Sequence, residues 1–463
     1  FYSINKIYPL REGEEKKELI FMMNRNEIMQ LFDEKRDMTE ARVKAGIEQN
    51  RKGLCKINFC DKDGKPVNGV KVKASQKSHE FRFGANIFML DELETAEKNE
   101  KYKEYFKEFF NMATLPFYWD ALEPEKGKQR YAADSPKIYR RPATDLCIEF
   151  CEKNGIEPRE HALAYEHFFP EWLKGKTSHE VKCELSRRMK EIGERYGSKI
   201  PTMEVTNEMF WSPGEAITRF YEDDDYVEWC FKEAEKYMGA NELVINDWSG
   251  ICWDHNARSR EPYYMEIERA LLKGARIDAI GLQYHMFFKA ENAAKATRRF
   301  YDPEHLYRVM DNYSKLGLPL QVTEITVPAY TYETDDEELQ SEILRNLYSI
   351  WFSHASVEQI IYWNLVDGYA AFAPQGDMTS GENYYRGGLI RFDFTKKPAY
   401  NMLKELITKE WHTDAETVAN ADGKAMFSGF YGKYELEIEH DGKKLTKEID
   451  FSKHSAKEFK ITL

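Results

Sequence analysis

The sequence predicts an α/β chain closing into one (β/α)8 TIM barrel, with a helix and β-hairpin ahead of it and a small β domain behind. Three observations carry that prediction. Eight short apolar or Gly-flanked runs recur roughly 30 to 50 residues apart, each followed by helix-like sequence, and such alternation builds a parallel sheet. Two of the runs, 203–208 and 318–324, break off at a glutamate. No Gly-x-Gly-x-x-Gly follows the first run, which weighs against an open dinucleotide-binding sheet.

Along the chain, residues 1–25 are charged and weakly patterned, with one candidate strand at 18–22. From 26 to 49, Ile28, Leu31, Phe32, Met38, Val43 and Ile47 fall mostly at helical spacing. Residues 55–74 alternate like a hairpin around the turn Asp61-Lys62-Asp63-Gly64-Lys65-Pro66. The eight barrel runs are 81–88, 111–115, 156–164, 203–208, 243–247, 277–284, 318–324 and 359–364. After Trp411 the period switches to two: Tyr434, Leu436 and Ile438 alternate with glutamates, and Asp441-Gly442 reads as a hairpin turn. The expected organisation is therefore an extension over 1–79, a barrel over 80–411 and a β domain over 412–463. That last segment is short for a core of its own and is expected to dock on the barrel or to recruit an N-terminal strand.

A net charge of -13, from 80 acidic and 67 basic residues, argues against nucleic acid or an anionic membrane as partner, because phosphate binding needs a basic stripe. No apolar run approaches the ~20 residues that cross a bilayer. The seven cysteines have no repeated or zinc-like spacing, so neither a metal nor another cofactor is expected and the thiols read as free. Free thiols suit a reducing cytoplasm or an anaerobic extracellular setting, and the compartment stays open. Aromatics are 14% of the chain, enough to line a cleft as well as a core, and sugar C–H faces stack on such rings.

The strand ends carry the chemistry. In order they present His161, Asn207-Glu208, Asn246-Asp247, Gln283 with His285, Glu324 and Trp363. In this fold strand C-termini face the active site. Two carboxyls on different strand ends meet the need of glycosidic cleavage, in which one group arrives protonated and the other stays ionised. Asn207 is placed to bond a sugar 2-hydroxyl, His285 to orient the nucleophile, and Trp363 to wall the reacting sugar.

With those motifs in view, the chain resembles glycoside hydrolase family 10, whose best-known members are endo-β-1,4-xylanases. The likeness runs from about 81 to 407. It includes Phe81-Arg82-Phe83-Gly84-Ala85-Asn86, Val205-Thr206-Asn207-Glu208, Asn246-Asp247-Trp248, Ile280-Gly281-Leu282-Gln283-Tyr284-His285, Val322-Thr323-Glu324, Trp363-Asn364-Leu365-Val366-Asp367 and Gly387-Gly388-Leu389. The resemblance implies Glu208 as acid/base, Glu324 as nucleophile, and xylan or a related cell-wall polysaccharide as substrate.

There are departures. The family's Glu-Asn pair and Lys after the second strand, which grip the sugar on the non-reducing side of the cut, are replaced by Thr114-Leu115-Pro116-Phe117-Tyr118-Trp119. Past His161 the family's Trp-His and Gln give way to Tyr165-Glu166 and Phe168. Glu204 and Met203 stand for Asp and Trp, and Thr326 for the Asp that usually supports the histidine. Either Glu166 or Asp247 could then partner His285, and Pro116, Phe117 and Tyr118 could stack on sugar. The expectation is a retaining endo-xylanase with an altered glycone side. Its alternatives are a hydrolase of another or a decorated β-glycan, and a non-catalytic carbohydrate-binding barrel.

Overall fold

The computed structural model describes residues 25–210, 216–329 and 336–463. The strand expected at 18–22 lies outside them. Two strands, β1 (Lys52–Cys60) and β2 (Lys71–His79), precede the barrel. The barrel consists of β3 (Arg82–Asn86), β4 (Met112–Pro116), β5 (Glu157–His161), β6 (Thr202–Asn207), β7 (Glu242–Asn246), β8 (Ala279–His285), β9 (Leu320–Thr326) and β10 (Val357–Tyr362). They pair in sequence order, and β10 closes on β3, giving a closed barrel. Every pairing is parallel. All residues of β4, β6 and β9 are buried, as a sheet covered on both faces requires.

The lower barrel interior is polar. At the N-terminal ends of alternate strands stand Arg82, Glu157, Glu242 and Gln321. The Arg82 guanidinium lies 3.3 Å from Glu157, 3.2 Å from Glu242 and 2.5 Å from Glu358. One cation thus holds three carboxylates where barrels usually carry branched aliphatics.

Helix α1 (Arg36–Arg51) ties the N-terminal segment to the barrel by lying on α2 (Glu337–Ser353). The contact is close enough that a Cβ on Gly46 would fall 2.5 Å from the Ser353 carbonyl. Arg51, at the end of α1, donates to the carbonyls of Phe352 and His354 where α2 ends and to that of Val357 at the start of β10.

Beyond the barrel come β11 (Asp414–Val418), β12 (Lys424–Phe430), β13 (Gly432–His440), β14 (Lys443–Phe451) and β15 (Glu458–Thr462). They form two sheets with the N-terminal strands, ordered β12-β1-β15 and β11-β2-β13-β14. The turn at 61–66 forms, with Asp61 accepting from the Asp63 and Lys65 amides, but the arms of the expected hairpin separate beyond the Cys60–Pro66 bridge and enter different sheets. The reason is burial. Cys55, Ile57 and Phe59 on one arm and Val72 and Ala74 on the other face a shared core with Phe427, Leu436 and Phe451. The module meets the barrel through Trp411, stacked on Phe352 at 4.1 Å and on Phe83 at 5.8 Å. All seven cysteines are unpaired, and of these only Cys183 is exposed.

Candidate active site

The C-terminal strand ends surround a cleft of about 1270 Å³ whose lining includes His161, Glu208, Gln283, His285, Glu324 and Trp363. Register shifts interrupt β6 between Glu204 and Thr206 and β8 between Leu282 and Gln283. Such irregularities re-aim side chains at barrel rims. Glu208 follows β6 with φ +52, a left-handed conformation uncommon outside glycine. Its amide donates to the Asn246 carbonyl at 3.2 Å. Its carboxyl accepts from the Tyr165 hydroxyl at 2.7 Å and from Gln283 Nε2 at 2.9 Å.

Glu324 is buried in β9. Asn246 Nδ2 donates to its Oε1 at 2.9 Å, and His285 Nε2 lies 3.2 Å from its Oε2. The same Asn246 amide reaches Asn207 Oδ1 at 3.0 Å and Glu204 Oε1 at 3.2 Å, so two hydrogens serve three acceptors. The Thr323 hydroxyl donates to Asn246 Oδ1 at 2.7 Å and thereby sets which way the amide points. Asn207 Oδ1 also accepts from Gln283 at 3.1 Å, while its Nδ2 is buried with no partner among the described residues. One hydrogen-bonded net therefore links the two glutamates through Gln283, Asn207 and Asn246.

Beneath it, Glu204 accepts from Arg159 Nη2 at 2.5 Å and lies 2.8 Å from His161 Nδ1, with all three side chains buried. Burial raises the Glu204 carboxyl, but Arg159 and His161 outweigh it and hold the group below its ordinary range. Burial likewise opposes charge on His161, yet Glu204 and Glu324 raise it overall. Glu324 moves the other way. Burial, with Glu204 and Glu208 close by, pushes it above the usual carboxylate range against the pull of His161. His161, Glu204 and Glu324 offer donor atoms within 4.8 Å of one another, as metal ligands would. Arg159 already supplies the positive charge there, and a hydrogen bond already joins His161 to Glu204.

The remaining residues sort by contact. Tyr118 donates or accepts at His161 Nε2, 3.1 Å away, and borders the cleft. Pro116 and Phe117 do not reach it. Both are buried, and Phe117 packs on Tyr196, so only Tyr118 remains of the expected stacking surface. Trp363 stands edge-on to His161 at 5.3 Å and to Phe88 at 5.1 Å. His285 is supported by neither Glu166 nor Asp247. Glu166 accepts from Thr218, and Asp247 accepts from the amides of Met209 and Trp248, bracing the turn after Glu208. Thr326 Oγ1, 2.9 Å from His285 Nδ1, takes that place. The sequence reading missed Asp120, Arg140 and Arg141 on the cleft wall. Asp120 sits in the single turn of helix Trp119–Leu122 and the arginines in a loop, neither long enough to show periodicity, and an adjacent Arg pair is no signal by itself.

The profile of Glycosyl hydrolase family 10 matches residues 73–406, well over half the chain. The chain belongs to this family. It is 24% identical over 408 residues to the anti-sigma-I factor RsgI6 of Acetivibrio thermocellus, a match covering 86% of this chain and 46% of that protein. It is 24% identical over 418 residues to endo-1,4-beta-xylanase 2 of Arabidopsis thaliana, covering 89% of this chain and 34% of that one. It thus spans less than half the length of either. The crystal structure of native xylanase 10B from Thermotoga maritima matches with a TM-score of 0.57 at 22% identity, over 72% of this chain and 96% of that one. Its closed barrel is the family's TIM-barrel fold.

Proposed function

We propose that the protein is a retaining endo-β-1,4-xylanase with an altered glycone side. The observation that carries the reading is the net joining Glu208 to Glu324, which gives the two carboxyls different neighbours and hence different tasks. Glu324 attacks the anomeric carbon as the glycosidic C–O bond breaks, and Glu208 delivers its proton to the leaving oxygen. In the second step Glu208 takes a proton from water, whose oxygen displaces Glu324 and restores the starting configuration. His285 and Asn246 orient the nucleophile, and the unpartnered Asn207 Nδ2 is available to a sugar hydroxyl. Such a bond, made best in the transition state, serves catalysis more than ground-state binding. Trp363 closes the cleft behind the reacting sugar. Trp248 and Phe372, 44% and 72% exposed at the cleft, offer faces to further sugar units, as action within a polymer needs.

The test is release of reducing sugar from xylan, with proton NMR reading the first-formed anomer. Glu208→Gln and Glu324→Ala should each abolish release while retaining the wild-type melting temperature, and the β-anomer should appear first. An α-product would refute retention, and full activity in either variant would refute the assignment. A second reading, a carbohydrate-binding barrel without turnover, draws support from the relative whose name is that of an anti-sigma factor. Binding of xylo-oligosaccharide with no cleavage over long incubation would favour it.

A further inference from the structure

We propose that Arg141, aimed by Arg140, is a receptor for the carboxylate of a uronic acid, so that the cleft takes a β-linked glycan carrying acidic units. This rests on the cleft being the glycan site argued above. The two arginines are consecutive, yet both line the cleft. Adjacent residues of an extended segment point to opposite sides. Arg140 escapes that rule with a left-handed backbone, φ +62, a conformation that is costly for a bulky residue and clusters at ligand sites.

Arg140 is anchored from behind, where Nη1 donates to Asn364 Oδ1 at 3.0 Å and to the Tyr369 carbonyl. Arg141 is held differently. Its guanidinium lies 3.8 Å over the Tyr118 ring, with Phe88 and Phe168 at 5.4 and 5.6 Å. Among the described residues one of its side-chain donors is used, on the Arg140 carbonyl at 3.0 Å. The buried Arg51 and Arg188 instead spend their donors on three carbonyls each. Among the described residues neither Arg140 nor Arg141 has a carboxylate within ion-pair range.

Asp120 and Glu382 are the carboxyls Arg141 feels, both from beyond that range. Glu382 is engaged by Asn364 Nδ2 at 2.9 Å. Asp120 has a buried oxygen without a partner among the described residues, and burial pushes this group up against the pull of Arg141. A stacked, pre-oriented guanidinium with free N–H groups matches a planar carboxylate bidentately, whereas a single hydroxyl fills the fork poorly. The wall it occupies is the one where the family's neutral-sugar grip is missing.

The experiment compares glucuronate-branched xylan with the same polymer after chemical reduction of its carboxyls to alcohols. Wild-type kcat/KM should fall at least about tenfold on reduction, as loss of a charge-assisted bond predicts. Arg141→Gln should bring the ratio of the two substrates close to one, and Arg141→Lys should restore part of it. Equal cleavage of both polymers by wild type, or an undiminished ratio in Arg141→Gln, would overturn the proposal. If Arg141→Gln does not fold, the wild-type comparison decides alone, because there the change is made on the ligand. Calorimetry on Glu208→Gln separates this from the catalytic reading. Tighter binding of a glucuronate-branched xylo-oligosaccharide than of the unbranched one supports the arginine site even if nothing is cleaved. Equal binding removes it even if xylan is cleaved.

Discussion

Thr326 Oγ1 lies 2.9 Å from His285 Nδ1, while Nε2 of the same ring faces Glu324 Oε2 at 3.2 Å. Burial lowers the His285 pKa, so the ring is neutral and carries one proton. An ionised Glu324 only accepts, which places that proton on Nε2 and makes Nδ1 the acceptor of the Thr326 hydroxyl. A hydroxyl thus fixes the tautomer without adding charge. Thr326→Val should leave Nδ1 unsatisfied and lower kcat about tenfold, with KM nearly unchanged, for a cost of 1–2 kcal/mol. Steady-state kinetics on xylan check it, and a wild-type kcat would refute the role.

His161, with a smaller share from Arg159, holds Glu324 down against burial and the nearby Glu204 and Glu208. As the proposed nucleophile, Glu324 has to be ionised to attack, so the acid limb of kcat/KM should sit above the ordinary glutamate value of about 4.3. His161→Asn removes the larger lowering influence and should move that limb up by about one unit, although the apparent value belongs to the cluster rather than to one carboxyl. A pH–rate profile decides. A limb that moves down in the variant would contradict the assigned sign.

The fold was legible because barrel strands buried on both faces leave apolar runs, and each run lies within a few residues of a strand. Glu208 and Glu324 were legible for a related reason, as carboxyls closing such runs. What was not legible involves partners distant in sequence. No local pattern says that Cys55–Cys60 and Val72–Ala74 enter separate sheets, because both sheets bury alternate residues and either pairing satisfies the period. The partner of His285 followed the habit of seeking a carboxylate, whereas the strand itself supplied a hydroxyl at Thr326. Arg140 and Arg141 come from a loop that only the folded barrel brings beside Tyr118.

Arg82 holds Glu157, Glu242 and Glu358 at the barrel floor. Arg82→Ala would leave carboxylates facing one another without a cation, and should cost about 3–5 kcal/mol at pH 7. Arg82 also lowers Glu358, which even so stands at about 7. Without it Glu358 rises further and Glu242 loses the main pull that holds it below its ordinary range, and the folded state then binds more protons than the unfolded one between about pH 4.5 and 7. Stability of the variant should therefore increase as pH falls across that window. Urea unfolding at pH 7 and pH 5 measures it, and a loss of stability on acidification would reverse the sign.

His79 lies where the β module meets the barrel, ringed by Phe83, Phe352 and Phe430 and bonded to the Trp411 carbonyl. Burial, with smaller contributions from His412 and Arg51, lowers its pKa to about 4 despite that bond. The unfolded chain titrates near 6.5, so between those values it binds a proton that the folded state refuses. The stability His79 contributes is whole above pH 6.5 and is lost as pH falls toward 4, on the order of 2 kcal/mol after discounting for partial exposure. His79→Gln retains a donor for the Trp411 carbonyl but cannot titrate. The variant should unfold with a flatter dependence on pH between 6.5 and 4 than wild type, measured by urea titration, and an unchanged slope would place the acid sensitivity elsewhere.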